Sequence, residues 1–215
     1  MQEEIFAQGL CFYKLFCLFV MGAFLGDVVE SLFCRITSGR WMSRSSFVYG
    51  HFSVVWGFAI VIATVLFYHI RRFPVTVLFI AGAFLGGIYE YICSLFTEKL
   101  LGTKFWDYQN MRWNVKGRIN LLYCLFWGLA TIIWVKDVLP VSEWVIEKIP
   151  VSEGSVLCNL LLAFLVLDAL ISALAIRRYA KRREMEEKSR GFFGFIDRHF
   201  DDRRMEKTYP MMKVC

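Results

Sequence analysis

The pentapeptide Gly-Ala-Phe-Leu-Gly occurs at residues 22–26 and again at 82–86, and each copy is followed four residues later by a glutamate, Glu30 and Glu90. Each copy lies inside a long apolar stretch. A carboxylate at the centre of a membrane helix costs about 2.5–3.5 kcal/mol on insertion scales. Two of them at matching places in a repeated frame constrain the chain to a duplicated membrane unit with a polar seam between its halves.

The rest of the composition agrees. The chain is 57% hydrophobic and only 20% charged, against about 45–50% and about 25% for a soluble domain. The charges cluster and leave five apolar runs, near 12–34, 52–70, 75–96, 119–138 and 156–176. Each has the roughly 20 residues needed to cross a hydrocarbon core about 30 Å thick. The expected fold is therefore all-α: a polytopic membrane helix bundle of five transmembrane helices occupying 1–176, followed by a charged tail, 177–215. The first run is not a cleavable signal, because no basic start precedes it and it has no small-x-small cleavage site. The net charge of +6 reports topology and does not imply a nucleic-acid partner. The seven cysteines form no CxxC pair and fall mostly within spans, where they pack as small apolar side chains. No metal site, disulfide framework or other cofactor is implied.

Basic residues set the expected orientation. Loop 35–48 carries Arg35, Arg40 and Arg44 without an acid, loop 97–118 carries five basic residues against two acids, and the tail begins with a basic run. Loop 139–154 and the amino terminus are acidic. A cell-membrane protein with its amino terminus outside and its carboxy terminus cytoplasmic satisfies all of these, with Arg71 and Arg72 dissenting.

Gly22, Gly26 and Glu30 are spaced by four, as are Gly82, Gly86 and Glu90, so each trio lies along one helix face. Small residues at that spacing let helices approach closely in lipid, which turns the glutamates into the packing seam. The match continues past them. Arg44 leads to Trp56-Gly57 and Arg118 leads to Trp127-Gly128, with Tyr49 and Tyr123 between, the second segment being three residues shorter. Spans one and two (about 12–70) thus repeat as spans three and four (about 75–138). Both hairpins start on the same side, making the repeat parallel. A Glu–Arg pair in each half or across halves is expected, with Asp27 either breaking the symmetry or capping polar groups. Asp168, in the fifth span, matches no spacing and ranks below these. Loop 103–118 offers Trp106 and Tyr108 to the water–lipid boundary, Asp107 and Asn114 as turn formers, and Gly117 for a close turn; it suits an interfacial anchor or a lid. Loop 139–154 reads as a short amphipathic outer segment in which Ser142 or Ser152 caps a helix. In the tail, GFFGFIDRHF suits either the inner leaflet or a solvated helix.

At these residues the chain resembles the CmpB-like integral membrane proteins, type IV ABC-transporter permeases of Gram-positive bacteria. The resemblance covers roughly 12–138 and is carried by Glu30, Arg44 with Tyr49-Gly50 and Trp56-Gly57, Glu90, and above all Trp106-Asp107-Tyr108 with Asn114, Gly117-Arg118-Ile119 and Asn120. Ser43-Arg44-Ser45 replaces the family's Asn-Arg-Gly, and His51 replaces a proline. The resemblance implies a permease-like transport subunit whose substrate site draws on Glu30, Glu90, Arg44, Arg118, Asp107, Trp106, Tyr108, Asn120 and Asp27. The implied partners are the lipid bilayer and a separate ATPase subunit on the cytoplasmic face, with a homo-oligomer as a further arrangement. The chain has no phosphate-cradling GxxxxGK[ST] and so needs that separate ATPase. It has no protease or esterase motif. An intramembrane enzyme acting on a lipid, using the carboxylates as acid and base, and a regulatory or assembly protein with a structural seam are the alternatives.

Overall fold

The computed structural model describes residues 6–185 and 190–214. Glu3 and Glu4, used for orientation, and residues 186–189 of the mixed-charge tail lie outside it. Four long apolar helices and one shorter one form the bundle. Helix α1 spans Phe12–Ser38 and α3 spans Val75–Leu101. Both are longer than their apolar cores, because each runs on until a left-handed glycine stops it. Gly39 (φ 70°) donates its N–H to the Arg35 carbonyl, and Gly102 (φ 68°) to that of Glu98. An L side chain disfavours that backbone region.

The return helices differ between the halves. Helix α2, Val54–Phe67, has 14 residues, about 21 Å of rise, short of the membrane core. The non-helical segment 44–53 and the turns at 68–73 therefore share its crossing. Helix α4, Leu121–Ile133, passes through a π-helical turn at Trp134–Val138 directly into α5, Leu139–Glu147. Pro140 accounts for the widened turn: it has no N–H and its ring would meet the preceding turn's carbonyl. The segment expected over 139–154 is thus helical as far as Glu147 and continuous with the preceding span. Leu139, Ser142 and Ile146 are buried, so Ser142 sits inside a helix and caps nothing. Ser152 lies in the first turn of α6, Val151–Met185, and donates to Glu153.

The repeat is visible as matched packing. A Cβ built on Gly22 would collide with Ile60 and one on Gly26 with Trp56; one on Gly82 would collide with Thr131 and one on Gly86 with Trp127. The return helices reciprocate, Gly57 receiving Phe19 and Gly128 receiving Phe79. Between hairpins, the Tyr89 hydroxyl donates to the Val55 carbonyl (2.6 Å) and Trp134 Nε1 to Thr64 Oγ1 (3.0 Å). Outward-facing side chains such as Ile80 and Phe84, 67% and 69% exposed, form an apolar surface suited to acyl chains.

Beyond the bundle, α7 (Gly191–His199) and α8 (Asp202–Thr208) fold back on the end of α6. Ile196, Phe200, Met205 and Tyr209 form a second core with Ala175, Ile176 and Tyr179. Asp197 receives both Arg178 (2.8 Å) and Arg182 (2.6 Å). Strand β4 (Lys213–Val214) pairs antiparallel with β1 (Thr103–Lys104), and strands β2 (Asn114–Val115) and β3 (Ile119–Asn120) make a second short ribbon.

Candidate functional site between the hairpins

The first half of the site is built on the non-helical chain entering α2. Backbone at membrane depth must satisfy its polar groups internally, and here side chains from two other helices do so. Asp27 accepts the Arg44 N–H (3.0 Å), which is the capping role open to it, and His51 Nδ1 lies 3.6 Å away. From α6, Asp168 accepts the N–H groups of Gly50 (2.7 Å) and Tyr49 (3.3 Å), and Ser172 Oγ accepts that of Val48 (2.9 Å). Ser45 Oγ donates to the Gly50 carbonyl (2.6 Å). So fixed, Arg44 reaches Glu30 at 3.2 Å.

The second half differs. Glu90 is buried, and its two oxygens accept from the Tyr108 hydroxyl (2.7 Å) and from Trp127 Nε1 (3.0 Å). Tyr108 arrives from a loop shaped by a tight turn. Lys116 (φ 53°) and Gly117 (φ 68°) both adopt left-handed backbone, and the Arg118 N–H donates to the Val115 carbonyl (3.0 Å), the arrangement that closes a two-residue hairpin. Gly117 also accepts the Tyr108 N–H through its carbonyl (2.8 Å), and Trp106 Nε1 donates to the Arg118 carbonyl (3.0 Å). The Tyr108 ring stacks on Tyr123 at 4.6 Å. Burial, and then the Glu90 charge, push the Tyr108 phenol upward, so it stays protonated as a donor.

Arg118 does not pair with Glu90, contrary to the pairing expected by analogy with Arg44. It binds Glu98, and its Nη1 donates to Ser94 Oγ at 3.1 Å. The two segments also differ in form: α4 begins at Leu121, six residues before Trp127, whereas α2 begins at Val54, two before Trp56. Glu90, Ser94 and Glu98 follow one another at spacings of four on one helix face, and Arg118 meets the last two.

The two halves, with α6 (Ser172, Ile176) and the tail (Tyr209, Met212), line a cavity of about 500 Å³ whose wall includes Glu30, Arg44, Glu90, Trp106, Tyr108 and Trp127. A second cavity of about 330 Å³, almost wholly apolar, continues between the hairpins along Gly22, Gly26, Gly82 and Gly86. Trp56, Tyr89 and Trp127 belong to both walls. The two indoles lie 5.1 Å apart with a 34° tilt. Of the remaining sequence candidates, Asp27, Asp107, Arg118 and Asn120 do not line the polar cavity. Asp107 accepts the Gln109 N–H (3.0 Å), and Asn120 caps α4 through the Leu122 N–H (2.9 Å). Sequence reasoning passed over Trp127 as a Glu90 partner and Asp168 as the acceptor for the Tyr49 and Gly50 N–H groups. A usable signal was present for the second: Asp168 and Ser172 stand one turn apart in an otherwise apolar helix. Among the described residues, no group of three or more His, Cys, Asp or Glu is placed to hold a metal ion.

A duplicated hairpin, five apolar helices and carboxylates turned inward define a multi-pass helical membrane protein with an interior polar cavity. The chain matches, over residues 17–173, the family described as "Putative ABC-transporter type IV". It belongs to that family. No curated protein and no solved structure matches it.

Proposed function

We propose that the chain is the permease-like membrane subunit of a transporter, and that the cavity between its hairpins is the substrate site. The observation that carries this reading is the placement of Glu30 and Glu90, equivalent positions of the repeat, on one interior cavity. Sites at the interface of structural repeats are the usual location in transporters, and carboxylates kept inside a membrane bundle mark a pathway. Glu30, paired with Arg44, and Glu90, held by Tyr108 and Trp127, are the proposed binding groups. Trp106 lines the wall. Asp27, Asp107, Arg118 and Asn120 position the segments that carry them.

The expected orientation has the amino terminus outside and the tail in the cytoplasm of a cell-membrane protein, so the polar cavity opens on the cytoplasmic side. The dissenting outer charge is offset locally, since Arg71 pairs with Glu143 at 3.3 Å. A separate ATPase subunit docks at the cytoplasmic end, where the loops and α7–α8 gather. Affinity purification of the tagged full chain from its native membrane tests this. Recovery of a nucleotide-binding subunit, with ATP-dependent uptake on reconstitution that is lost in Glu90→Gln, is the expected result. Recovery of the folded chain without any ATPase refutes the transporter role.

A further inference from the structure

We propose that the interior site takes an amphipathic organic cation, its positive head held in the polar chamber and its apolar body in the adjoining one. The ligand class deepens the permease reading above and takes the same cavity as its site. Three observations point to it, and the first is charge. Glu30 has a cationic partner, Arg44, at 3.2 Å, whereas Glu90 is met only by neutral donors, the Tyr108 hydroxyl and the Trp127 indole. Each oxygen of Glu90 accepts a hydrogen bond, an arrangement that favours the ionised carboxylate over the neutral acid. With Glu90 ionised, the charged side chains that line the chamber, Glu30, Arg44 and Glu90, carry one more negative than positive charge. A bound cation is the complement, since a buried charge without an opposite charge is costly.

The second observation is the wall. Trp56, Tyr89, Tyr108, Tyr123 and Trp127 all line the polar chamber with Glu90. Aromatic faces attract cations through the ring quadrupole, and such enclosures suit ammonium groups that have shed water. An anionic head would meet the ring faces and two carboxylates against the single guanidinium of Arg44, which Glu30 already engages. The third is the shape. The apolar chamber adjoins the polar one across the shared Trp56, Tyr89 and Trp127 and is walled by aliphatic and aromatic side chains and the four helix-face glycines. Together the two volumes fall in the range of small-molecule sites. The polar chamber sets the charge of the head, and the apolar chamber requires a hydrophobic body.

The test uses two probes of one shape and opposite charge. Radiolabelled tetraphenylphosphonium is titrated onto the purified full chain in dodecyl maltoside or nanodiscs, and radiolabelled tetraphenylborate, its anionic counterpart, onto a separate sample. The expected result is saturable phosphonium binding without saturable borate binding, and a loss of phosphonium affinity of at least about tenfold in Glu90→Gln. Absence of saturable phosphonium binding overturns the proposal. So does borate binding of equal affinity, or wild-type affinity in a folded Glu90→Gln protein. Should Glu90→Gln fail to fold, the comparison of the two probes on the unmodified chain decides alone. Phosphonium binding without an associated ATPase would remove the transporter role and leave the ligand class standing; ATPase-coupled uptake without phosphonium binding would do the reverse.

Discussion

Tyr108→Phe tests the one bond that joins the 103–118 loop to the membrane carboxylate. The substitution removes the hydroxyl that donates to Glu90 Oε1 at 2.7 Å and keeps the ring that stacks on Tyr123. Glu90 is left with Trp127 on its other oxygen. A hydrogen bond to a charged group contributes about 1.5–3 kcal/mol, and an orphaned buried acceptor costs a similar amount. A loss near 2 kcal/mol is expected. For a chain of this size that corresponds to a fall of about 4–8 °C in Tm. The assay is thermal unfolding in detergent of the wild type, Tyr108→Phe, Glu90→Met and the double variant. Groups that contact one another give a non-additive cycle, while independent ones add to within about 0.5 kcal/mol. A coupling of at least about 1.5 kcal/mol is the expected outcome. Additivity would refute the idea that Tyr108 is held in place by Glu90, and would reduce the loop to an interfacial anchor.

Other consequences follow from the same geometry. Gly86→Leu drives a side chain into Trp127 and should destabilise by about 3 kcal/mol or more, whereas Gly39→Ala, which meets open space but keeps φ at 70°, should cost only about 1 kcal/mol; thermal melts distinguish them. Asp168→Ala leaves the Tyr49 and Gly50 N–H groups without their acceptor, at about 1–3 kcal/mol, and hydrogen exchange should rise in 44–53 before it rises elsewhere. Asp197 is desolvated, yet Arg178 and Arg182 outweigh that and hold its carboxyl below the ordinary value of 3.8. A depressed folded pKa gives stability that is full above the unfolded value and declines as pH falls toward the folded one. Exchange in 191–199 should therefore rise on acidification below about pH 4, and Asp197→Asn should abolish that dependence while raising exchange at neutral pH.

Much of the bundle was legible because lipid permits few solutions. Apolar runs of spanning length can only be helices there, and two backbones in close contact need glycine where they touch. The Gly22–Gly26 and Gly82–Gly86 faces, and Trp-Gly pairs at 56–57 and 127–128, are the direct record of that contact. The Glu30–Arg44 pair was legible for a related reason: one short segment separates the residues, so the partner lay close in sequence. Glu90 was not legible in the same way. Its expected partner, Arg118, is separated from Trp127 by the first turns of α4 where the first half has non-helical chain, and it meets Glu98 instead. The donors that replace it come from Tyr108 and Trp127, whose roles depend on how a whole loop and helix settle.

Local chemistry alone therefore determined the five-helix membrane class, the duplication and the inward turn of the acids, since each follows from the incompatibility of lipid with polar groups and from the space available between backbones. Tertiary structure decided which donors met those acids, that Asp168 of the fifth helix secures the entrance to the second, and that the tail folds back against the bundle. Those outcomes depend on distances between segments far apart in the chain, and such distances are set only when all the helices pack at once.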